Sequence, residues 1–240
     1  MDSNPQHFFV PGAAKAGSTT LYTYLNQHPK ICMSHPKEPV FFELDRKYNE
    51  GKAFYENNFF PKYSGETYKG EARPINAIFP WIADRMTEMF PEGKFIFTVR
   101  SPVDRAYSFY WGSRRSGIEG TEENDFQTAI FNNYIRRATG HTWDKDHMKK
   151  WYQNDWEPKG DGIFKTYLEG GYYYQQIKRF TKKTSPAQVK VILFQDLIED
   201  PLNVCNNIFD FLGLKRLDKL NTSHRMKGYT HRSDWLQKAY

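Results

Sequence analysis

The sequence predicts an α/β fold in which a central parallel sheet carries helices on both faces. Three observations predict it. Short apolar runs recur at His7-Phe8-Phe9-Val10, Ile31-Cys32-Met33-Ser34, Lys94-Phe95-Ile96-Phe97-Thr98-Val99-Arg100 and Val189-Lys190-Val191-Ile192-Leu193-Phe194, with the length and near-continuous hydrophobicity of strands buried on both faces. Segments of helical spacing alternate with them, as parallel strands require of their crossovers. A glycine-bracketed loop joins the first run to the first helical pattern. The length of 240 residues sets an expectation of one domain over 1–240, and no internal repeat or low-complexity linker divides it.

The first strand leads into Pro11-Gly12-Ala13-Ala14-Lys15-Ala16-Gly17-Ser18-Thr19-Thr20, after which Leu21, Tyr24 and Leu25 mark a helix face at i, i+3 and i+4. Strand, glycine-bracketed loop and helix N-terminus form an anion cradle: loop N–H groups and the positive end of the helix converge, and glycines let the backbone approach. The loop departs from the G-x-x-x-x-G-K-S/T nucleotide pattern in one place. Gly12 and Gly17 keep the spacing, but Ser18 occupies the lysine position and the lysine has moved to Lys15. A 5′-phosphate bound with Lys15 beside its substituent fits this loop better than a triphosphate does. The plainer alternative is a tight turn with an N-cap serine.

The remaining elements follow in order. After the second strand, Pro36 and Pro39 bracket Lys37-Glu38 on a stiff, extended loop at a strand's C-terminal end, where open α/β sheets bind ligands. Residues 49–66 read as a polar, aromatic-rich helical excursion. Thr67 to Ala72 read as a third strand end, with Arg73-Pro74 turning away. Ile82, Met86 and Met89 form a helix face between Pro80 and Pro91. The strand ending at Arg100 is broken by Ser101-Pro102, and a helix starts at Val103 with Asp104 in its first turn. Residues 112–165 are polar and tryptophan-rich, with a weak helical pattern over Phe126–Arg137, and are expected to lie over the site. A helix over Gly171–Phe180, the last strand, and a helix from Leu202 to Leu212 closed by Gly213 complete the chain.

Composition narrows the partners. The net charge of +6 favours anionic ligands, but Arg114-Arg115 and Lys182-Lys183 are only pairs, so nucleic acid is not expected. Nineteen Phe and sixteen Tyr suit a protein that stacks rings on flat ligands or sugars, although cores use aromatics too. Cys32 and Cys205 fall in core segments, as free thiols or as one disulfide. No apolar run is long enough to span a membrane, so the expected location is the cytoplasm, with a lumenal ectodomain separated from its anchor as the alternative. The seven histidines show no H-x-x-x-H spacing, and no metal site is expected.

Arg100, and Ser108 eight positions on, make a second phosphate site distinct from the Lys15 loop. A nucleotide carrying phosphate on both its 5′ and 3′ sides would satisfy both. Here the sequence resembles the sulfotransferases that use 3′-phosphoadenosine 5′-phosphosulfate (PAPS), most closely their heparan-sulfate-type and bacterial carbohydrate branch. Gly12–Thr19 is similar to that family's 5′-phosphosulfate loop, and Val99–Ser108 to its 3′-phosphate motif at the family's Arg-to-Ser spacing. Lys37-Glu38-Pro39-Val40-Phe41-Phe42 is similar to the segment bearing the catalytic glutamate. Tyr167–Tyr173 is similar to the stretch whose tyrosine lies near the adenine, while Phe194–Leu197, Asp200-Pro201 and Phe211–Leu214 are similar to the late strand and helix.

The resemblance implies a fold like that of P-loop nucleotide kinases and a set of site residues. Lys15 and Glu38 would be catalytic. Lys15, Ala16, Gly17, Ser18, Thr19, Thr20, Arg100, Ser108 and Tyr173 would hold PAPS or its product, adenosine 3′,5′-bisphosphate, with Arg225, Lys227 and Gly228 loosely matching the C-terminal cofactor loop. Lys37, Glu71 and Arg73 could contact the acceptor or sulfate, or form structural ion pairs. Partial burial beside Phe41 and Phe42 is expected of Glu38, with Lys37 opposing its effect on basicity; His35 is the competing base. The resemblance also implies a chain that stops earlier than many members, and the cysteine pair of the Golgi enzymes is not evident. Two other readings stay open. A P-loop kinase or NTPase shares the sheet, with Asp196 as an Mg²⁺ ligand, and a non-catalytic anionic-glycan binder would also be basic.

Overall fold

The computed structural model describes residues 4–115, 122–139 and 165–223. Five strands, β1 (Gln6–Gly12), β2 (Ile31–Met33), β3 (Tyr68–Glu71), β4 (Lys94–Val99) and β5 (Val189–Leu193), form one sheet in the order β2-β3-β1-β4-β5. Every neighbouring pair is parallel. The order puts the first strand at the centre with the glycine loop at its C-terminal end, the expected arrangement of a P-loop-nucleotide-kinase-like fold.

The side-chain period of two divides the core between the two faces. Phe8 and Val10 of β1 and Ile96 of β4 pack with Leu21, Tyr24 and Leu25 of α1 (Ser18–Leu25) and with Val204, Ile208 and Phe209 of α9 (Pro201–Leu212). Phe9, Phe95 and Phe97 point the other way. They meet Phe41, Phe42, Tyr55 of α3 (Gly51–Phe59), Met86 of α4 (Ile82–Met89) and Phe180 of α7 (Tyr173–Thr181). Much of the aromatic content is spent here, with the Phe9 ring stacked on Phe95 at 5.6 Å and the Phe41 ring 4.9 Å from Tyr55. It reflects the core more than a ring-stacking ligand surface.

Several boundaries differ from those the sequence predicts. β1 runs two residues beyond Val10, to Gly12. The 49–66 excursion is helical only over α3, and a four-residue helix, α2 (Asp45–Tyr48), precedes it. α5 (Pro102–Arg115) begins at its proline, where the missing N–H costs nothing, and continues past Trp111. Phe194 opens α8 (Phe194–Glu199) instead of closing β5. α6 (Phe126–Ala138) starts at Asp125, which accepts from the Thr128 N–H. α9 has Asp200 as its N-cap and Gly213 in the left-handed region at its end, φ 75°. Cys32 and Cys205 are buried, free thiols. Residues 116–121 and 140–164 of the segment expected over the site lie outside the described residues. Among those described, no helix is long and apolar enough to cross a membrane.

Candidate active site

The site is assembled at the C-terminal ends of β1, β3 and β4. Leaving β1, the chain is pinned by the Ala13 N–H, which donates to the Thr98 carbonyl at 2.8 Å, so the loop cannot peel away from β4. Lys15 has φ 67°, a left-handed conformation uncommon outside glycine and held here by its surroundings. Gly17, φ 86°, begins α1 without any side-chain cap. A Cβ at Gly17 would also come 2.8 Å from the Phe194 ring. The first N–H groups of α1, from Ser18 to Thr20, therefore have no intrahelical acceptor, the arrangement that receives an anion. Ser18 and Thr20 are buried, and Thr19 is exposed.

Arg100 follows β4 and reaches the same loop. Its Nη1 donates to the Lys15 carbonyl at 3.3 Å, its guanidinium lies 4.7 Å from the Phe194 ring centroid, and its own carbonyl accepts from the Tyr173 hydroxyl at 2.8 Å. Lys15, Arg100 and Tyr173 are thus one constellation. Burial lowers the Lys15 pKa, Arg100 lowers it further, and Glu38 opposes the change. A dianionic ligand would relieve the repulsion between the two cations. Ser108 is buried on α5, about two turns after Arg100.

Glu38 differs from expectation. Its side chain is 44% exposed, while residues 39–44 that follow it are buried. Lys37 Nζ lies 2.6 Å from Glu38 Oε1, and Arg73 Nη1 reaches both the Glu38 carbonyl, at 3.3 Å, and Oε2, at 3.9 Å. Through Nε, Arg73 also pairs with Glu43, whose side chain is fully buried. Arg73 therefore bridges a buried carboxylate to an exposed one.

Glu71, expected to contact the acceptor or sulfate or to form a structural ion pair, is placed in the interior. It is 1% exposed, accepts from the Tyr55 hydroxyl and from Asn76 Nδ2, and burial raises its pKa to about 8. It belongs to the interior beneath the site. His35 is exposed, with its backbone N–H on the Phe59 carbonyl. Arg225, Lys227 and Gly228 lie outside the described residues. Among those described, no group of three or more His, Cys, Asp and Glu is gathered as a metal site.

Sequence reasoning missed Glu43, Phe194 and Arg105. Glu43 carried a usable signal, an acidic residue inside an otherwise apolar run after Val40. Arg105 carried none, since an arginine in the first turns of a helix reads as solvated.

Comparison with known proteins finds one family. A family model described as "Sulfotransferase domain" matches residues 5–233. Among curated relatives, the mouse bifunctional heparan sulfate N-deacetylase/N-sulfotransferase 4 is 28% identical over 86% of the chain and 22% of its own length. The human heparan sulfate glucosamine 3-O-sulfotransferase 3B1 is 26% identical over 94% of the chain and 50% of its own length. The chain thus spans half or less of these relatives. A crystal structure of a sulfotransferase from Alicyclobacillus acidocaldarius superposes with a TM-score of 0.73 at 28% identity, covering 94% of this chain and 87% of that one. The mouse sulfotransferase SULT7A1, solved with PAP, matches at a TM-score of 0.51 and 15% identity over 91% of this chain and 62% of that one, a likeness of fold alone.

Proposed function

The chain belongs to the sulfotransferase-domain family, and on that premise we propose that it transfers the sulfuryl group of PAPS to a hydroxyl or amine of a carbohydrate or small-molecule acceptor. The observation that carries the reading is the hydrogen bond from Arg100 to the Lys15 carbonyl, which puts two cationic anion sites side by side at the sheet's C-terminal edge. Adenosine 3′,5′-bisphosphate, the nucleotide product, has one phosphate for each.

The residues present fit such a donor. The uncapped start of α1 and Lys15 suit the 5′-phosphosulfate, with Lys15 beside the oxygen that departs with the nucleotide. Arg100 and Ser108 suit the 3′-phosphate, and Tyr173 holds Arg100 in place. In in-line transfer the acceptor's O–S or N–S bond forms as the bond from sulfur to the bridging oxygen breaks. The chain's work is to position, to remove a proton and to stabilise the leaving charge. Glu38, exposed at the site's rim, takes the acceptor's proton, and Lys15 steadies the charge that grows on the nucleotide. Arg73, tied to buried Glu43, orients the Glu38 segment through its carbonyl.

The test is to incubate the chain with PAPS and a panel of glucosamine-containing oligosaccharides and small hydroxylated acceptors, measuring release of adenosine 3′,5′-bisphosphate. Acceptor-dependent release supports the reading. Turnover of ATP with Mg²⁺, and none of PAPS, supports a kinase or NTPase instead.

A further inference from the structure

Arg105 is 0% exposed, although it lies on α5 between the two residues assigned to the 3′-phosphate. Its Nη2 donates to the carbonyls of Thr166, at 3.4 Å, and Tyr167. Its Nε and Nη1 have no hydrogen-bond partner among the described residues. Burial lowers its pKa only to about 10, so it is a cation at neutral pH. A buried guanidinium held by carbonyls, with N–H groups left over, is a costly way to fill space; an apolar side chain would do so at lower cost.

What Arg105 grips is the turn that leads to Tyr173. A Cβ built on Gly170 would lie 2.5 Å from Arg105 Nη1, and one on Gly171 would lie 3.3 Å from Pro102. The turn therefore lies directly against the guanidinium and the start of α5 because these two residues have no side chain. Asn133 of α6, itself buried, holds the same turn through the Leu168 N–H at 2.9 Å and the Glu169 carboxylate at 3.0 Å. Gln176 holds it through the Glu169 carbonyl at 2.8 Å. At the end of the turn, the Tyr173 hydroxyl donates to the Arg100 carbonyl.

We propose that Arg105 is a positioning residue of the nucleotide site: it clamps the Thr166–Gly171 turn against α5 so that Tyr173 fixes Arg100 for the 3′-phosphate. Arg105 acts through Tyr173 and does not touch the nucleotide. The inference rests on reading Arg100 as the 3′-phosphate ligand.

The experiment is calorimetric titration of the whole chain with adenosine 3′,5′-bisphosphate and with adenosine 5′-monophosphate. The proteins are wild type, Arg105→Met, Arg105→Lys, Tyr173→Phe and Arg105→Met/Tyr173→Phe. Arg105→Met is expected to weaken the bisphosphate roughly tenfold and the monophosphate less than about twofold, as for removal of one coupled interaction. In the Tyr173→Phe background its effect on the bisphosphate should shrink to less than about threefold. Arg105→Lys should fail to restore affinity, because an ammonium does not reproduce the planar guanidinium that lies against Gly170. Equal weakening of both nucleotides, full additivity with Tyr173→Phe, or a lower melting temperature with unchanged selectivity would overturn the proposal. If Arg105→Met does not fold, Gly170→Ala keeps the arginine but displaces it, and must give the same selective loss. A wild-type chain that binds no bisphosphate refutes the underlying reading itself, which the variants do not test.

Discussion

Arg100 Nη1 donates to the main-chain carbonyl of Lys15, 3.3 Å away, across 85 residues of sequence. The link is from side chain to backbone, so the cation following β4 sets the position of the loop following β1 without engaging the lysine's own ammonium. The repulsion between the two cations, which helps to lower the Lys15 pKa, is a reserve of affinity for a ligand with two phosphates.

Lys15→Ala is expected to lose most turnover while keeping substantial affinity for adenosine 3′,5′-bisphosphate. In the proposed mechanism the lysine acts on charge that develops during transfer, worth a few kcal/mol there. Steady-state rates beside calorimetric affinities check this. Affinity and rate falling together would mark Lys15 as an anchor only.

Replacing Arg100 by Met, or Ser108 by Ala, should weaken the bisphosphate far more than adenosine 5′-monophosphate. Removing a charge-assisted hydrogen bond from a partly buried site costs roughly 1.5–3 kcal/mol. Competition binding with the two nucleotides measures the difference. Parallel losses would move the second phosphate site elsewhere.

The Arg73–Glu43 pair predicts a stability effect. Arg73→Met removes the guanidinium paired with the buried Glu43 carboxylate, at a cost of up to about 3–5 kcal/mol in denaturant unfolding. Adding Glu43→Gln should recover part of that loss, because the stranded charge is gone. A near-neutral single variant would show that the pair is dispensable.

Glu38→Gln keeps shape and hydrogen bonding but cannot accept a proton. Nucleotide affinity should be nearly unchanged while turnover falls by on the order of 10²–10⁴. Should turnover stay near wild type with saturating acceptor, the base lies elsewhere, and His35→Asn is the next variant to measure.

Glu71 makes stability depend on pH. Its folded pKa of about 8 stands above its ordinary carboxylate value of 4.5, so between these pH values the folded chain holds a proton that the unfolded chain has lost. Stability from this group is full below about pH 4.5 and is lost as pH rises through about 8. The slope is at most about 1.4 kcal/mol per pH unit. Glu71→Gln should remove this component, as denaturant titrations at pH 5 and pH 8 would show.

The anion loop and the strand ending at Arg100 were legible in the sequence, because glycine spacing, a strand run and a following helix face are local patterns. The partnerships were not. Nothing near Arg73 names Glu43, thirty residues earlier, and nothing near Arg105 shows that Gly170 leaves room for it. Glu38, beside Lys37 between two prolines, is exposed, and Glu43, inside the apolar run after Val40, is sealed, but nothing local shows that both meet Arg73. Phe194 reads as the end of a strand by its apolarity, but it opens α8 and gives its ring to Arg100 and Gly17.

In the proposed function the Lys15 loop and Arg100 together hold one nucleotide with phosphates on both its 5′ and 3′ sides. Calorimetric titration of the wild-type chain with adenosine 3′,5′-bisphosphate, adenosine 5′-monophosphate and Mg²⁺-ATP tests it most directly. The account predicts one bisphosphate per chain, bound at least tenfold more tightly than the monophosphate, as a charge-assisted hydrogen bond worth about 1.5 kcal/mol or more requires. Equal affinity for bisphosphate and monophosphate, or preference for Mg²⁺-ATP, would contradict it.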